Sequence, residues 1–449
     1  MPRFTPMGPG VLRPDERHPL VSEAGRRTLT ALLEAPDGPA WNHQCGDRLD
    51  AEGLRRVEAF GASVVTAPPR WKPGETPAWV AGFVDHVRRV VPRHRGNEAA
   101  MSRTDLARAW WDLVPDDVDL DDLIWFPTSG TGHAPVVVPT HPVAVSCYYP
   151  ILLEAARWHG VPPPRFRDDR ADWVTVVSQR HGGFTVPSWS SVLRCATAKV
   201  NLDPSGWRDG GDRARFLERH DPRVITGDPL SLSHLADLDV TLRPAVLIST
   251  ALHLTATTTA RLEARFGCPV VDVYSSTETG PIAASLPGDG GLMALLQPRL
   301  FVEITDDAGE LCLPGVDGVV TVTGGMNPYL PLLRYRTGDT ARLVWRGDQP
   351  VLEGLMGRAA VVLRSATGEP VASIDVAQLF EELPLRRWTL HQRADASVVV
   401  AVEREAGAPP DLDERVRQAA RTALGPVAVD VEPLTAPDKV VPFTTEAES

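Results

Sequence analysis

The sequence predicts a mixed α/β fold: a large N-terminal domain of parallel-rich sheets over residues 1–355 and a small α+β lid over 356–449. Three observations predict it. From about residue 122, short β-branched runs alternate with helix-like stretches, the pattern of buried parallel sheets. From 300 to 353 the strands instead follow one another across Asp/Gly turns, which reads as antiparallel hairpins. Gly354 and Gly357 then permit hinge-like backbone angles ahead of a segment with its own helix and strand alternation.

Each element follows from local sequence. Residues 1–120 mix helices, such as those expected at 22–34 and 76–92, with proline-rich connections. Strands are expected at Val174–Val177, Val224–Ile225, Val246–Ser249 and Val270–Tyr274. The stretch 255–266, "TATTTARLEARF", predicts a helix capped by the Thr255 hydroxyl, which accepts from first-turn amides. In the last segment, helices are expected at 374–382 and 411–424 and strands at 397–402 and 427–432.

Composition narrows the function classes. A chain of 449 residues, 43% hydrophobic and 23% charged, is an ordinary globular protein large enough for two or three domains. A formal net charge of -12 with no basic run argues against nucleic acid as a partner. No apolar run approaches the roughly 18 residues that span a bilayer. The N-terminus lacks the apolar centre of a signal peptide, so a cytoplasmic location is expected. Five scattered cysteines (45, 147, 195, 268, 312) with no CxxC pair suggest reduced thiols and no structural zinc. Of 46 basic residues only three are lysine: Lys72, Lys199 and Lys439.

Five short motifs could carry chemistry. "WFPTSGTGHAPVVV" (125–138) packs hydroxyls and glycines between apolar runs, as a phosphate-binding loop does, yet holds no lysine. "VVDVYSSTETG" (270–280) ends an apolar strand in an aromatic, hydroxyls and Glu278. A tyrosine at a strand's C-terminal end can stack on a base. A carboxylate just beyond it can hold Mg²⁺ beside phosphates. "LLRYRTGD" (332–339) places Asp339 after a Thr-Gly turn, where two carboxylate oxygens could accept ribose hydroxyls. Gly357-Arg358 marks the hinge, and "PDKVVPF" (437–443) holds Lys439 near the C-terminus.

In this order and spacing the five motifs resemble the adenylate-forming enzymes (acyl-CoA synthetases, nonribosomal adenylation domains, luciferases). The branch most similar is the phenylacetate-CoA ligase type, over residues 120–445. The resemblance implies a large domain of α/β sheets plus a β-barrel-like part, a mobile lid, and ATP, Mg²⁺ and a small carboxylic acid as ligands. It implies that Thr128, Ser129, Gly130, Thr131 and Gly132 cradle phosphates. Ser249, Thr250 and Ala251 would border the adenine, with Asp272, Tyr274 and Ser275 beside it. Glu278 would hold Mg²⁺, Asp339 the ribose, with Arg358 nearby, and Lys439 would be catalytic. The segment "QRHGGFTVPSW" (179–189) resembles the aromatic wall of the acid pocket, with His181, Phe184 and Trp189 as lining and an aryl or arylalkyl acid as substrate.

The implied chemistry is attack of a carboxylate oxygen on the α-phosphorus, with pyrophosphate leaving. A lysine arriving from the lid would offset the charge that builds there. The acceptor is then a thiol of coenzyme A or of an acyl carrier protein. Two other readings stay open: an amine acceptor or nitrite activation in secondary metabolism, and a non-catalytic nucleotide-binding relative. The sequence departs from the family at His133, at Ala359-Ala360, and in "RSATGEPVASIDV", where the thiol tunnel is usually formed.

Overall fold

The computed structural model describes residues 12–96, 100–127, 137–178, 184–288, 291–357, 362–368, 370–372, 376, 379–380, 382–435 and 443–446. One sheet of 13 strands dominates it. Its parallel half runs, in spatial order, through β9 (Val270–Ser276), β8 (Val246–Thr250), β7 (Val224–Gly227), β4 (Ala171–Val177) and β6 (Cys195–Asn201), with β5 (Val186–Ser190) antiparallel at the edge. These strands are buried on both faces and read as near-continuous apolar runs, as parallel strands do.

At β9 the direction changes. β10 (Gly280–Ser285) folds back antiparallel on β9, and β11 (Met293–Leu295), β15 (Gln349–Met356), β14 (Leu332–Arg346), β13 (Gly318–Gly324) and β12 (Leu300–Thr305) continue the same sheet. The antiparallel part, expected as barrel-like, is therefore hydrogen-bonded into the parallel part as one path. β1 (Met101–Ser102) adds to β14 in parallel, pairing Met101 with Tyr335. A separate hairpin, β2 (Ile124–Pro127) and β3 (Val137–Thr140), brackets the hydroxyl-rich loop, which itself lies outside the described residues.

The helices expected at 22–34, 76–92, 255–266 and 411–424 form, while most of the one expected at 374–382 lies outside the described residues. Glu23–Glu34 starts on Ser22, whose hydroxyl accepts from Gly25 N at 3.0 Å. Ala256–Phe266 starts on Thr255, which accepts from Thr258 N at 3.2 Å, and stops at Gly267, whose φ of 67° only glycine adopts without strain. Pro229–Asp237 starts on Asp228, whose carboxylate accepts from Leu230 N and Ser231 N, both at 3.0 Å. Helix Tyr148–Trp158 covers one face of the parallel half, packing Ile151 and Ala155 on Ile248 and Val271. The helices around Leu32, Phe216, Leu232 and Leu262 cover the other face.

Residues 363–443 have a core of their own, built on Phe380, Leu390, Val400, Val416 and Phe443. A two-stranded hairpin, β16 (Val362–Arg364) and β17 (Pro370–Ala372), precedes its main sheet, which runs β20 (Val429–Pro433), β19 (Val398–Arg404), β18 (Leu385–Gln392), β21 (Phe443–Thr445). Polar contacts join it to the large unit. Arg386 Nη2 donates to Asp237 Oδ2 at 2.7 Å, and Thr258 Oγ1 donates to Glu405 Oε1 at 3.0 Å.

Among the described residues three histidines are buried: His18, His94 and His220. Burial is the main cause that pushes each down to about 4, and both ring nitrogens of His94 lack a hydrogen-bond partner. Each stays neutral in the fold, while in the unfolded chain it protonates near pH 6.5. Their stabilising effect is thus complete above pH 6.5 and is lost as pH falls from 6.5 towards 4. At about 1.4 kcal/mol per pKa unit, each can remove up to about 3 kcal/mol. The urea midpoint should therefore drop sharply between pH 7 and pH 5, and His94→Gln should flatten the slope; equal midpoints at both pH values would contradict this.

Candidate active site

A cleft of about 1550 Å³ opens where the strands of the large sheet end, and Glu382, Arg386, Arg387, Trp388 and Phe443 of the C-terminal unit face it. The seam between the parallel and antiparallel halves supplies its chemistry. Strand β9 delivers Asp272, Tyr274 and Ser275, and the turn into β10 delivers Glu278. Strand β14 delivers Tyr335, Thr337 and Asp339. Asp272 is fixed through its backbone, whose N–H donates to Ser285 Oγ at 3.1 Å.

Tyr274 and Asp339 are tied together. The phenol donates to Asp339 Oδ2 at 2.7 Å and lies 3.3 Å from Thr337 Oγ1. Thr337 in turn donates to Val320 O and accepts from Asp339 N at 3.1 Å, which fixes the turn. Burial, and next the Asp339 charge, push the Tyr274 phenol well up, so it remains a neutral donor.

Glu278 is 6% exposed and is held by two donors on its Oε1: Arg103 Nη1 at 3.1 Å and Tyr335 OH at 3.1 Å. Burial and the Glu278 charge raise the Tyr335 phenol too. Arg103 opens helix Arg103–Ala109, whose start is fixed by one carboxylate oxygen: Ser102 N at 2.9 Å and Ser102 Oγ at 2.8 Å both donate to Asp105 Oδ2. That helix packs beside β3, the strand leaving the hydroxyl-rich loop. A guanidinium is therefore carried on a helix that touches β3.

The donor set suits Mg²⁺ of the kind held mostly by substrate phosphates and water. Glu278 faces the cleft together with Asp272 and Asp339, and among the described residues no group of three or more His, Cys, Asp or Glu side chains could cage a metal alone.

The structure brings Ala251, Asp272, Tyr274, Ser275, Glu278 and Asp339 to this one cleft. Two expectations need correction. Ser249 does not border the cleft: its side chain is fully buried in the sheet, with its hydroxyl unpartnered, and of the Ser249–Ala251 run only Ala251 is a lining residue. Trp189 is not a pocket wall. It is 3% exposed and packs on the opposite face of the sheet, against Val21 and Gly25 of the N-terminal helix region. Alternation along β5 sends Trp189 one way and Ser188 the other.

Phe184 is 40% exposed and contacts His43 and Lys199. Thr128, Ser129, Gly130, Thr131, Gly132, His181, Arg358 and Lys439 lie outside the described residues. Sequence reasoning missed Arg103, Tyr335 and Thr337. Tyr335 and Thr337 sit inside the "RYRTGD" motif and could have been assigned with it. Arg103 has only the Ser-x-x-Asp helix-start signal beside it, which says nothing of a partner 175 residues away.

No protein-family model matches the chain, and no curated protein matches it. Solved structures do. One is 2-hydroxyisobutyryl-CoA ligase in the postadenylation state with 2-HIB-AMP: 17% identity, 88% of this chain and 89% of that chain covered, TM-score 0.55. Another is the anthranilate CoA ligase AuaEII with anthranoyl-AMP: 13% identity, 94% and 96% covered, TM-score 0.50. A third, the ATP-bound RpMatB-BxBclM chimera, has 15% identity, 94% and 97% coverage and a TM-score of 0.50. The chain has the fold of these adenylate-forming ligases.

Two outcomes follow from the geometry. Arg103→Met leaves the buried Glu278 carboxylate without its cation and should cost about 3 kcal/mol of stability. Adding Glu278→Gln should restore most of it; a urea series showing purely additive losses would rule out the pairing. Ala251 has φ 71°, a left-handed value that costs a side chain about 1 kcal/mol. Ala251→Gly should raise the urea midpoint, and a lowered midpoint would show that Ala251 is not strained.

Proposed function

We propose that the protein activates a small carboxylic acid with ATP as an acyl-adenylate, releases pyrophosphate, and passes the acyl group to a thiol of coenzyme A or a carrier protein. The observation that carries this reading is the convergence of Asp272, Tyr274, Glu278 and Asp339 on one cleft, at the seam of a fold shared with acyl-AMP-forming ligases.

In this reading each residue has a role. The Tyr274 ring offers a flat apolar face for adenine, and its hydroxyl holds Asp339 in place. Asp339 accepts the ribose hydroxyls. Glu278 supplies the protein carboxylate for Mg²⁺, which when bound neutralises phosphate charge. The Arg103 guanidinium, at the start of a helix that touches β3, adds a fixed positive charge to the cleft, where it would face the triphosphate in this reading. Thr128 to Gly132, Arg358 and Lys439 lie outside the described residues; in this reading Thr128 to Gly132 would supply amides and hydroxyls to the phosphates, Arg358 would serve the ribose, and Lys439 would deliver the second cation for the transfer step.

Pyrophosphate exchange with a panel of acids tests the reading. Exchange with at least one acid, followed by thioester formation, is expected. Exchange without thioester would move the acceptor to an amine, and nitrite in the panel tests activation of that anion. Tight ATP binding with no exchange for any compound would overturn catalysis altogether. Lys439→Ala should lower exchange by a factor of about 10² to 10³ with ATP affinity nearly intact, since removing one transition-state contact acts on rate rather than binding. Asp339→Ala should instead weaken ATP binding about tenfold or more, through loss of the ribose acceptors; an unchanged dissociation constant would remove Asp339 from the nucleotide site.

A further inference from the structure

Lys199 is one of three lysines in the chain and has no place in the chemistry above. It lies near the C-terminal end of β6, with its ammonium 3.5 Å from the centre of the Phe184 ring. Among the described residues no carboxylate comes within ion-pair distance of it. Asp228 and Cys45 act on it only electrostatically. The Asp228 carboxylate is already occupied as a helix cap, accepting from Leu230 N, Ser231 N and Ser231 Oγ. Burial pushes the Lys199 ammonium down to about 8. A sequestered cation without a counter-charge is costly, and cation–π contact with one ring offsets only part of that cost.

The strand registers show what surrounds it. Lys199 pairs with Thr175 on β4, Thr175 pairs with Thr226 on β7, and Thr197 pairs with Ser188 on β5. Paired residues share a face, so Ser188, Thr197, Lys199, Thr175 and Thr226 form a polar lane. The hydroxyls of Thr175 and Thr226 are 2.7 Å apart. On the same face Asn201 stands two residues beyond Lys199, while Trp173, Cys195 and Val224 pack in the apolar cluster under helix Tyr148–Trp158. The lane leads to the end of β7, where Asp228 is followed by Pro229 and Leu230, which line the nucleotide cleft. Ligands of open α/β sheets bind beyond the C-terminal ends of the strands, on this side. Trp189, the expected aromatic wall, is absent from it.

We propose that Lys199, over Phe184 and diagonally across from Ser188, is a subsite for a second anionic group on the acid substrate. The preferred substrate is then a dianion, such as a dicarboxylate, rather than a simple aryl or aliphatic monoacid. This rests on the adenylation reading for the fate of the first carboxylate, but not for the subsite itself.

Matched acids test it: butyrate against succinate, and p-toluate against terephthalate. In pyrophosphate exchange the dianion of a pair should show a KM at least tenfold lower. Lys199→Met should abolish that preference, Lys199→Arg should keep it, and ATP affinity should be unchanged in both, which also reports intact folding. A preference for the monoanion, or a dianion preference that survives Lys199→Met, overturns the proposal.

A second measurement does not need turnover. Acetylation by an amine-reactive ester can be followed at Lys199 and Lys72 by peptide mass spectrometry. Succinate or terephthalate should slow labelling of Lys199 relative to Lys72 several-fold more than butyrate or p-toluate does. Equal protection overturns the subsite. If no acid supports exchange while the dianions still protect Lys199, adenylation falls and the anion subsite stands.

Discussion

The buried carboxylate of Glu278 is the constraint around which the large unit is arranged. A charge that is 6% exposed must be met by donors, and here they come from two segments far apart in the chain. Arg103 reaches it from the helix after β1, and Tyr335 from the middle of β14. These same two segments are joined by the Met101–Tyr335 pairing, so backbone ladder and charge pair reinforce each other. The result fixes the seam at which parallel strands give way to antiparallel ones. Tyr274 and Asp339, two residues from or close to that seam on β9 and β14, inherit their positions from it. Replacing such a pair by apolar residues often costs little, so retention of the charge points to a use for it beyond stability.

Much of the fold was legible because its signals are local. Alternating apolar runs marked β7, β8 and β9, Thr255 marked a helix start, and Asp/Gly turns marked the hairpins from 300 to 353. The carboxylates and tyrosine of the site were legible because their motifs are contiguous. What sequence could not give was orientation and distance. One-residue alternation decides that Ser188 and Trp189 face opposite ways, and nothing in "VPSW" states which face meets the cleft. Ser249 failed for the same reason, since its side chain turns into the sheet while Ala251 reaches the opening. Arg103 was invisible because its partner is 175 residues away.

The C-terminal unit meets the large one through charged and polar groups rather than a shared apolar core. Arg386 bonds both Asp237 of the large unit and Glu403 of its own sheet, and Thr258 meets Glu405. Asp237 is 41% exposed, so this contact is solvated and contributes little per pair. Each unit keeps its own core, and the hydrophobic cluster around Phe380 and Val400 does not depend on the other. Weak, specific contact over independent cores is what a unit needs if it is to change orientation between two steps of one reaction.

The single continuous sheet has a consequence for how the chain is made. Strand β1 at residue 101 can find its partner only once residue 335 exists. A ribosome releases the chain from the N-terminus, so helices near residues 23 and 51 can settle early while the seam waits. Until β14 and β15 arrive, Arg103 and Glu278 have no complete setting, and the free side of β11 is a bare strand edge. Biogenesis thus places its slowest and most aggregation-exposed interval immediately before the cleft is completed.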